Sequence, residues 1–130
     1  MGNEIRRAVI VEDSPGMRKL IHMALDALGA KEIVEAEDGA QALMALQASP
    51  TDVVVMDWNM EVMDGLECTR RIRAGVEGIP QGLPIILLTG NSSAEAEAVA
   101  YEAGVDLFMA KPFSMRSLME GLTKVFVKER

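Results

Sequence analysis

The sequence predicts an α/β fold, a doubly wound and mostly parallel five-stranded sheet with helices on both faces. Five short apolar runs punctuate the chain at Ala8 to Val11, Ile33-Val34, Val53 to Met56, Ile85 to Leu88 and Leu107 to Ala110. The longer runs are continuous rather than alternating, as strands buried on both faces are. Segments with the 3.6-residue period of amphipathic helices lie between them. Strand and helix alternating five times through short connections point to helices crossing over a parallel sheet.

Taken in order, the run Ala8-Val9-Ile10-Val11 is the first strand and ends at the acidic pair Glu12-Asp13. The helix that follows places Met17, Leu20, Ile21, Ala24, Leu25 and Leu28 on one face. Ser14-Pro15 supplies its N-cap and first-turn proline, and Gly29 its stop. Ile33-Val34 is the second strand, and a second helix follows Asp38-Gly39. Val53 to Met56 runs into Asp57, and the third helix begins at Asp64, a capping side chain before Leu66. A Gly/Pro-rich loop, residues 75–84, leads to the fourth strand and Thr89. Ser92-Ser93-Ala94-Glu95 reads as a capping box in which Ser92 and Glu95 satisfy each other's backbone donors; that helix ends at Gly104. The fifth strand runs into Lys111. Met115, Leu118, Met119, Leu122, Val125 and Phe126 then give the last helix its apolar stripe.

A chain of 130 residues without repeats or a linker suits a single domain over residues 1–130. With 49% hydrophobic and 25% charged residues it has the composition of a globular protein, not a disordered one. Cys68 is the only cysteine, which removes the disulfide-rich secreted class. Thirteen basic against twenty acidic side chains leave a formal charge of −7, so nucleic acid backbones and anionic membranes are not expected partners. No apolar segment approaches the roughly 20 residues needed to span a bilayer. After Met1-Gly2-Asn3 and the pair Arg6-Arg7 only four apolar residues precede Glu12, which does not fit a signal peptide. Gly2 fails as a myristoylation start because Arg6 stands where Ser or Thr is wanted. The expectation is a soluble, cytoplasmic, monomeric protein.

In open α/β sheets ligands bind beyond the carboxyl ends of the strands. The residues there are Glu12-Asp13, Asp57, Thr89 and Lys111: three carboxylates, a hydroxyl and an ammonium. Crowded carboxylates repel one another unless they are protonated or share a cation, and hard oxygen ligands of this kind suit Mg²⁺. Asp38 and Asp64 are accounted for as helix caps. His22 falls on the first helix, away from this edge, and the ten methionines read as core filler rather than a recognition surface.

These residues resemble the receiver domains of two-component response regulators, most closely the single-domain chemotaxis (CheY-like) type. The resemblance covers essentially the whole chain. It is carried by Glu12-Asp13, by Asp57-Trp58-Asn59-Met60-Glu61-Val62-Met63-Asp64-Gly65, by Thr89-Gly90 and by Lys111-Pro112-Phe113. It implies a flavodoxin-like sheet of order 2-1-3-4-5 with five helices. It further implies that Asp57 accepts a phosphoryl group from a histidine kinase or histidine phosphotransfer protein. Mg²⁺ would then be held by Asp13 and Asp57, by the Asn59 carbonyl, and by Glu12 through water. Lys111 and Thr89 would bind phosphoryl oxygens, and Lys111-Pro112 is a candidate cis peptide. Thr89 and Phe108 would form the conformational switch that alters affinity for a protein partner.

Two positions depart from the family pattern. Phe108 stands where Tyr is usual, keeping the packing and losing the hydroxyl, and Glu61 stands where Pro is usual. Asn59 and Asn91 occupy positions that tune phosphoaspartate hydrolysis in the family. Such a chain is a phosphoacceptor with slow self-dephosphorylation and no turnover of external substrates. It could act as a signalling switch, as in chemotaxis, or as an intermediate or phosphate sink in a phosphorelay.

Other classes fit less well. A haloacid-dehalogenase-like phosphatase needs a general acid two residues after the nucleophile, where this chain has Asn59. An FMN carrier would meet two repelling acids, Glu12-Asp13, in the turn that should cradle its phosphate. A docking-only relative of the receivers would be expected to lack an acidic or lysine position, and none is missing.

Overall fold

The structure, a computed structural model, describes residues 4–128. Its elements are β1 (Arg7–Val11), α1 (Pro15–Ala27), β2 (Glu32–Ala36), α2 (Gly39–Ala48), β3 (Val53–Asp57), α3 (Gly65–Ala74), β4 (Ile85–Thr89), α4 (Ala94–Ala103), β5 (Leu107–Ala110) and α5 (Met115–Lys128). The strands form one sheet in the order β2-β1-β3-β4-β5, and every neighbouring pair is parallel. That is the order the resemblance implies.

Burial explains which apolar runs were continuous. β1, β3 and β4 are buried at every residue, because helices cover both faces of the sheet centre. β2 and β5 lie at the edges and are only partly covered, so Glu32 and Glu35 can face solvent beside Ile33-Val34. Alternate strand residues feed two cores. Val9, Val11, Val54, Met56, Ile85 and Leu87 pack on one face with Ala42, Leu46, Ile72 and Ala100. Ala8, Ile10, Val53, Val55, Ile86 and Leu88 pack on the other with Ile21, Leu25, Leu118 and Leu122. Each of the valine, leucine, isoleucine and methionine side chains among them contributes roughly 1.5–3 kcal/mol on burial. The sheet can therefore tolerate charged groups at its rim.

Helix starts follow their caps. Ser14 accepts from the Met17 N–H, Asp38 from Gln41 and Asp64 from Glu67. The expected Ser92–Glu95 capping box is corrected. α4 begins one residue later, with Ser93 as its cap, accepting from the Ala96 N–H at 3.1 Å. The reason is local: the Asn91 side chain accepts from the Ser93 N–H at 3.1 Å and sets the turn after β4. Loop 75–84 is pinned by a bridge between Val76 and Ile79 and by buried Ile79 and Leu83.

The amino-terminal ends of the strands are held by charged side chains. The Arg7 guanidinium donates to the carbonyls of Ala45 and Ser49, capping the end of α2, and to the Thr51 hydroxyl at 2.7 Å. Asp52 accepts from the Arg6 and Arg7 N–H groups, and Asp106 from the Ile85 N–H and from Arg73. Among the described residues no helix is long and apolar enough to cross a membrane. The reading of Met1-Gly2-Asn3 as the start of no leader lies outside the described residues.

Candidate functional site

Parallel register brings the carboxyl ends of the strands to one rim. Glu12 and Asp13 follow β1, Asp57 and Thr89 are the last residues of β3 and β4, and Lys111 follows β5. Two backbone bonds fix this alignment, from the Trp58 N–H to the Leu88 carbonyl at 2.8 Å and from the Lys111 N–H to the Thr89 carbonyl at 2.7 Å. Gly65 lets α3 close on the rim. A Cβ there would strike the Asp57 carbonyl oxygen and the Leu87 side chain.

Glu12, Asp13 and Asp57 each place a carboxylate oxygen within 4.8 Å of the others. Glu12 and Asp57 are buried, at 1% and 5% exposure, while Asp13 stays open to solvent. The Lys111 ammonium lies 3.2 Å from Glu12 Oε1 and 3.3 Å from Asp57 Oδ1. The Lys111-Pro112 peptide is cis.

Burial raises the Glu12 carboxyl above its usual range, and Asp57 adds to this, against the opposing Ser14 N–H and Lys111. Burial alone would lower the Lys111 ammonium, but the carboxylates of Asp57 and Glu12 outweigh it and hold it above its usual range. One cation thus partly balances a cluster that has more negative charge to share.

The other sequence candidates fall around this centre. The Asn59 N–H donates to Asp57 Oδ1 at 3.4 Å. An open depression of about 320 Å³ beside it is lined by Asp13, Asn59, Met60, Glu61 and Asp64. Thr89 is buried, and its hydroxyl accepts from the Asn91 N–H at 3.0 Å. Phe108 lies further along the sheet edge, its ring edge-on to Trp58 with centroids 6.5 Å apart and planes at 79°. That aromatic contact connects β5 to the residue next to Asp57. His22 is turned away and pairs with Glu35 at 3.3 Å.

Sequence reasoning missed two contributors. Arg18 donates to the Glu12 carbonyl at 3.0 Å and reaches Glu35 at 3.3 Å, tying the acidic turn to β2. Its signal was a charged residue next to the apolar face of the first helix. Tyr101 on α4 accepts from the Phe108 N–H at 3.1 Å. A hydroxyl is therefore present beside Phe108, supplied by another element; nothing in residue spacing announced it.

Residues 8–123 match the profile of the response regulator receiver domain. The chain belongs to this family. The receiver is 36% identical to chemotaxis protein CheY-3 of Vibrio cholerae over 124 residues, 95% of this chain and 94% of that protein. It is 35% identical to chemotaxis protein CheY1 of Helicobacter pylori over 120 residues, 92% and 95% of the two chains. Its structure is similar to that of chemotaxis response regulator CheY4 of Vibrio cholerae, with a TM-score of 0.83 at 30% identity, covering 93% of this chain and 98% of that one. A second similar structure is the receiver domain of sensor histidine kinase PA1611 from Pseudomonas aeruginosa, with magnesium ion coordinated in its active-site cleft. There the TM-score is 0.81 at 31% identity, covering 94% and 98%.

The donor set of this receiver fits such an ion. Mg²⁺ takes hard oxygens at about 2.0–2.1 Å and keeps several waters. Three clustered carboxylates, one of them solvent-exposed, offer both direct ligands and a wet side.

Proposed function

We propose that this receiver is a phosphorylation-dependent switch in a two-component phosphorelay, with Asp57 as the phosphoacceptor. The observation that carries the reading is the position of the Asp57 carboxylate. It ends a buried strand within the acidic cluster, 3.3 Å from Lys111.

In the reaction a carboxylate oxygen of Asp57 attacks the phosphorus of a phosphohistidine, on a histidine kinase or a histidine phosphotransfer protein. The P–N bond breaks, the imidazole leaves and takes up a proton, and an acyl phosphate remains on Asp57. Asp13, Asp57, the Asn59 carbonyl and, through water, Glu12 would hold Mg²⁺, which supplies charge stabilisation for the phosphoryl oxygens when bound. Lys111 exchanges its carboxylate contact for a phosphoryl oxygen as a compact point charge. Thr89 donates its hydroxyl to another oxygen, giving up the Asn91 contact. Withdrawal of Thr89 leaves space toward which Phe108 turns, and the surface formed by α4, β5 and α5 changes its affinity for a protein partner.

No turnover of external phosphoesters is expected, because the residue two positions beyond Asp57 is an amide and cannot protonate a leaving group. The similarity to chemotaxis proteins favours a role in chemotaxis, with a cytoplasmic, monomeric protein exchanging between partners. An intermediate or phosphate sink in a relay would use the same chemistry.

Incubation with acetyl phosphate or beryllofluoride and Mg²⁺ tests the reading. The expected result is one phosphoryl adduct by intact mass and a change in Trp58 fluorescence, both lost in Asp57→Asn. Wild type that stays unmodified, or Asp57→Asn that is still modified, refutes it. A pull-down comparing phosphorylated protein with Asp57→Asn then separates an output switch from a relay sink.

A further inference from the structure

A groove among the described residues lies away from the acidic rim. It runs along α5 beside the end of α1, has a volume of about 680 Å³, and is lined by Leu28, Met115, Arg116, Met119, Glu120, Thr123 and Lys124. From Met115 to Lys124 it spans about 13 Å of helix axis, the length of two to three turns of a second helix laid in it. Leu28, Met115 and Met119 give it an apolar floor that is only partly covered by the fold. Flexible methionines suit a surface that adapts to a guest side chain.

Charge selects the guest. The one acid of the lining, Glu120, is already paired with Arg116 at 3.4 Å, and Lys124 has no ion pair among the described residues. The groove lining therefore carries two cations against one acid, on a chain whose formal charge is −7. A second copy docked symmetrically would bring the same cations together, and an anionic bilayer would meet the acidic remainder of the chain.

We propose that the α1–α5 groove is a docking site for an amphipathic helix of a partner protein, with an apolar stripe on one side and acidic residues flanking it. Apolar side chains at i, i+3, i+4 and i+7 of that helix lie over Leu28, Met115 and Met119, and its carboxylates face Arg116 and Lys124. The site does not include Asp57 or its neighbours, so a partner held there leaves the acidic rim accessible.

A fluorescein-labelled synthetic helix of Leu and Glu in that pattern, titrated by anisotropy against the full chain, tests the proposal. Saturable binding is expected. Met119→Glu should weaken it about tenfold or more, by placing a charge in the apolar floor. Lys124→Glu should weaken it about two- to fivefold at low salt, with the difference shrinking as salt screens the rim. A scrambled peptide of the same composition should not saturate. Retained acetyl phosphate reactivity shows that each variant is folded. The proposal is overturned by absence of saturable binding, by binding indifferent to both substitutions, by sedimentation with phosphatidylserine vesicles that Met119→Glu abolishes, or by a concentration-dependent dimer that the same substitution dissociates.

Discussion

Val62 adopts φ +69° in the loop between β3 and α3, and its side chain is 84% exposed. A β-branched residue in the left-handed region is a steric outlier, because its Cβ crowds the following carbonyl. The conformation costs roughly 1–2 kcal/mol, and with so little of Val62 buried, packing recovers little of it. Val62→Asn should relieve about 1 kcal/mol, since asparagine tolerates this region and brings no extra backbone freedom to the unfolded chain. Val62→Gly relieves the same clash but adds about 0.4–1 kcal/mol of unfolded-state entropy, so its gain is smaller. For a domain of this size 1 kcal/mol corresponds to about 3–5 °C in Tm. Thermal and urea unfolding of the three proteins should therefore rank Asn above Gly above Val. If neither variant is more stable than wild type, the strain argument is wrong.

Arg7→Met removes the groups that satisfy Ala45, Ser49 and Thr51 in a buried setting, and should cost about 2–4 kcal/mol in urea unfolding. The acetyl phosphate reactivity of the folded fraction should be unchanged, since Arg7 sits at the opposite end of the sheet; reduced reactivity would contradict that separation. Burial pushes the Cys68 thiol up to about 12 from an ordinary value of 9.0. A raised folded-state value means that this contribution to stability is intact below pH 9 and is lost as pH climbs from there toward 12. The urea midpoint of wild type should fall more steeply over that range than that of Cys68→Ala, and parallel curves would refute the assignment. Magnesium should raise the wild-type midpoint, by about 2.7 kcal/mol of stability at a hundredfold excess over Kd. Asp13→Asn should lose most of that gain, and a wild type indifferent to the ion would rule out the cradle.

The architecture was legible because three central strands are buried on both faces and so appear as unbroken apolar runs. The same burial pushed the chemistry to the strand ends, where Glu12, Asp57, Thr89 and Lys111 could be read from position alone. Caps at Ser14, Asp38 and Asp64 were equally plain. At α4 the sequence offered Ser92 and Ser93 together, and only the Asn91 turn decides between them. Tyr101 meeting Phe108, Arg18 reaching the Glu12 carbonyl and the edge contact of Trp58 with Phe108 all join different elements. No single-sequence periodicity encodes such approaches. The methionines show the same limit: helical spacing placed Met115 and Met119 on the packed side of their helix, and only the neighbouring surface of α1 makes them the floor of a groove.

The clamps at Arg7, Asp52 and Asp106 give the domain a foundation remote from its working face. Glu61 and Val62, both exposed in the loop between β3 and α3, are not part of that anchorage, so the border of the acidic cluster can be altered there while the scaffold stays upright.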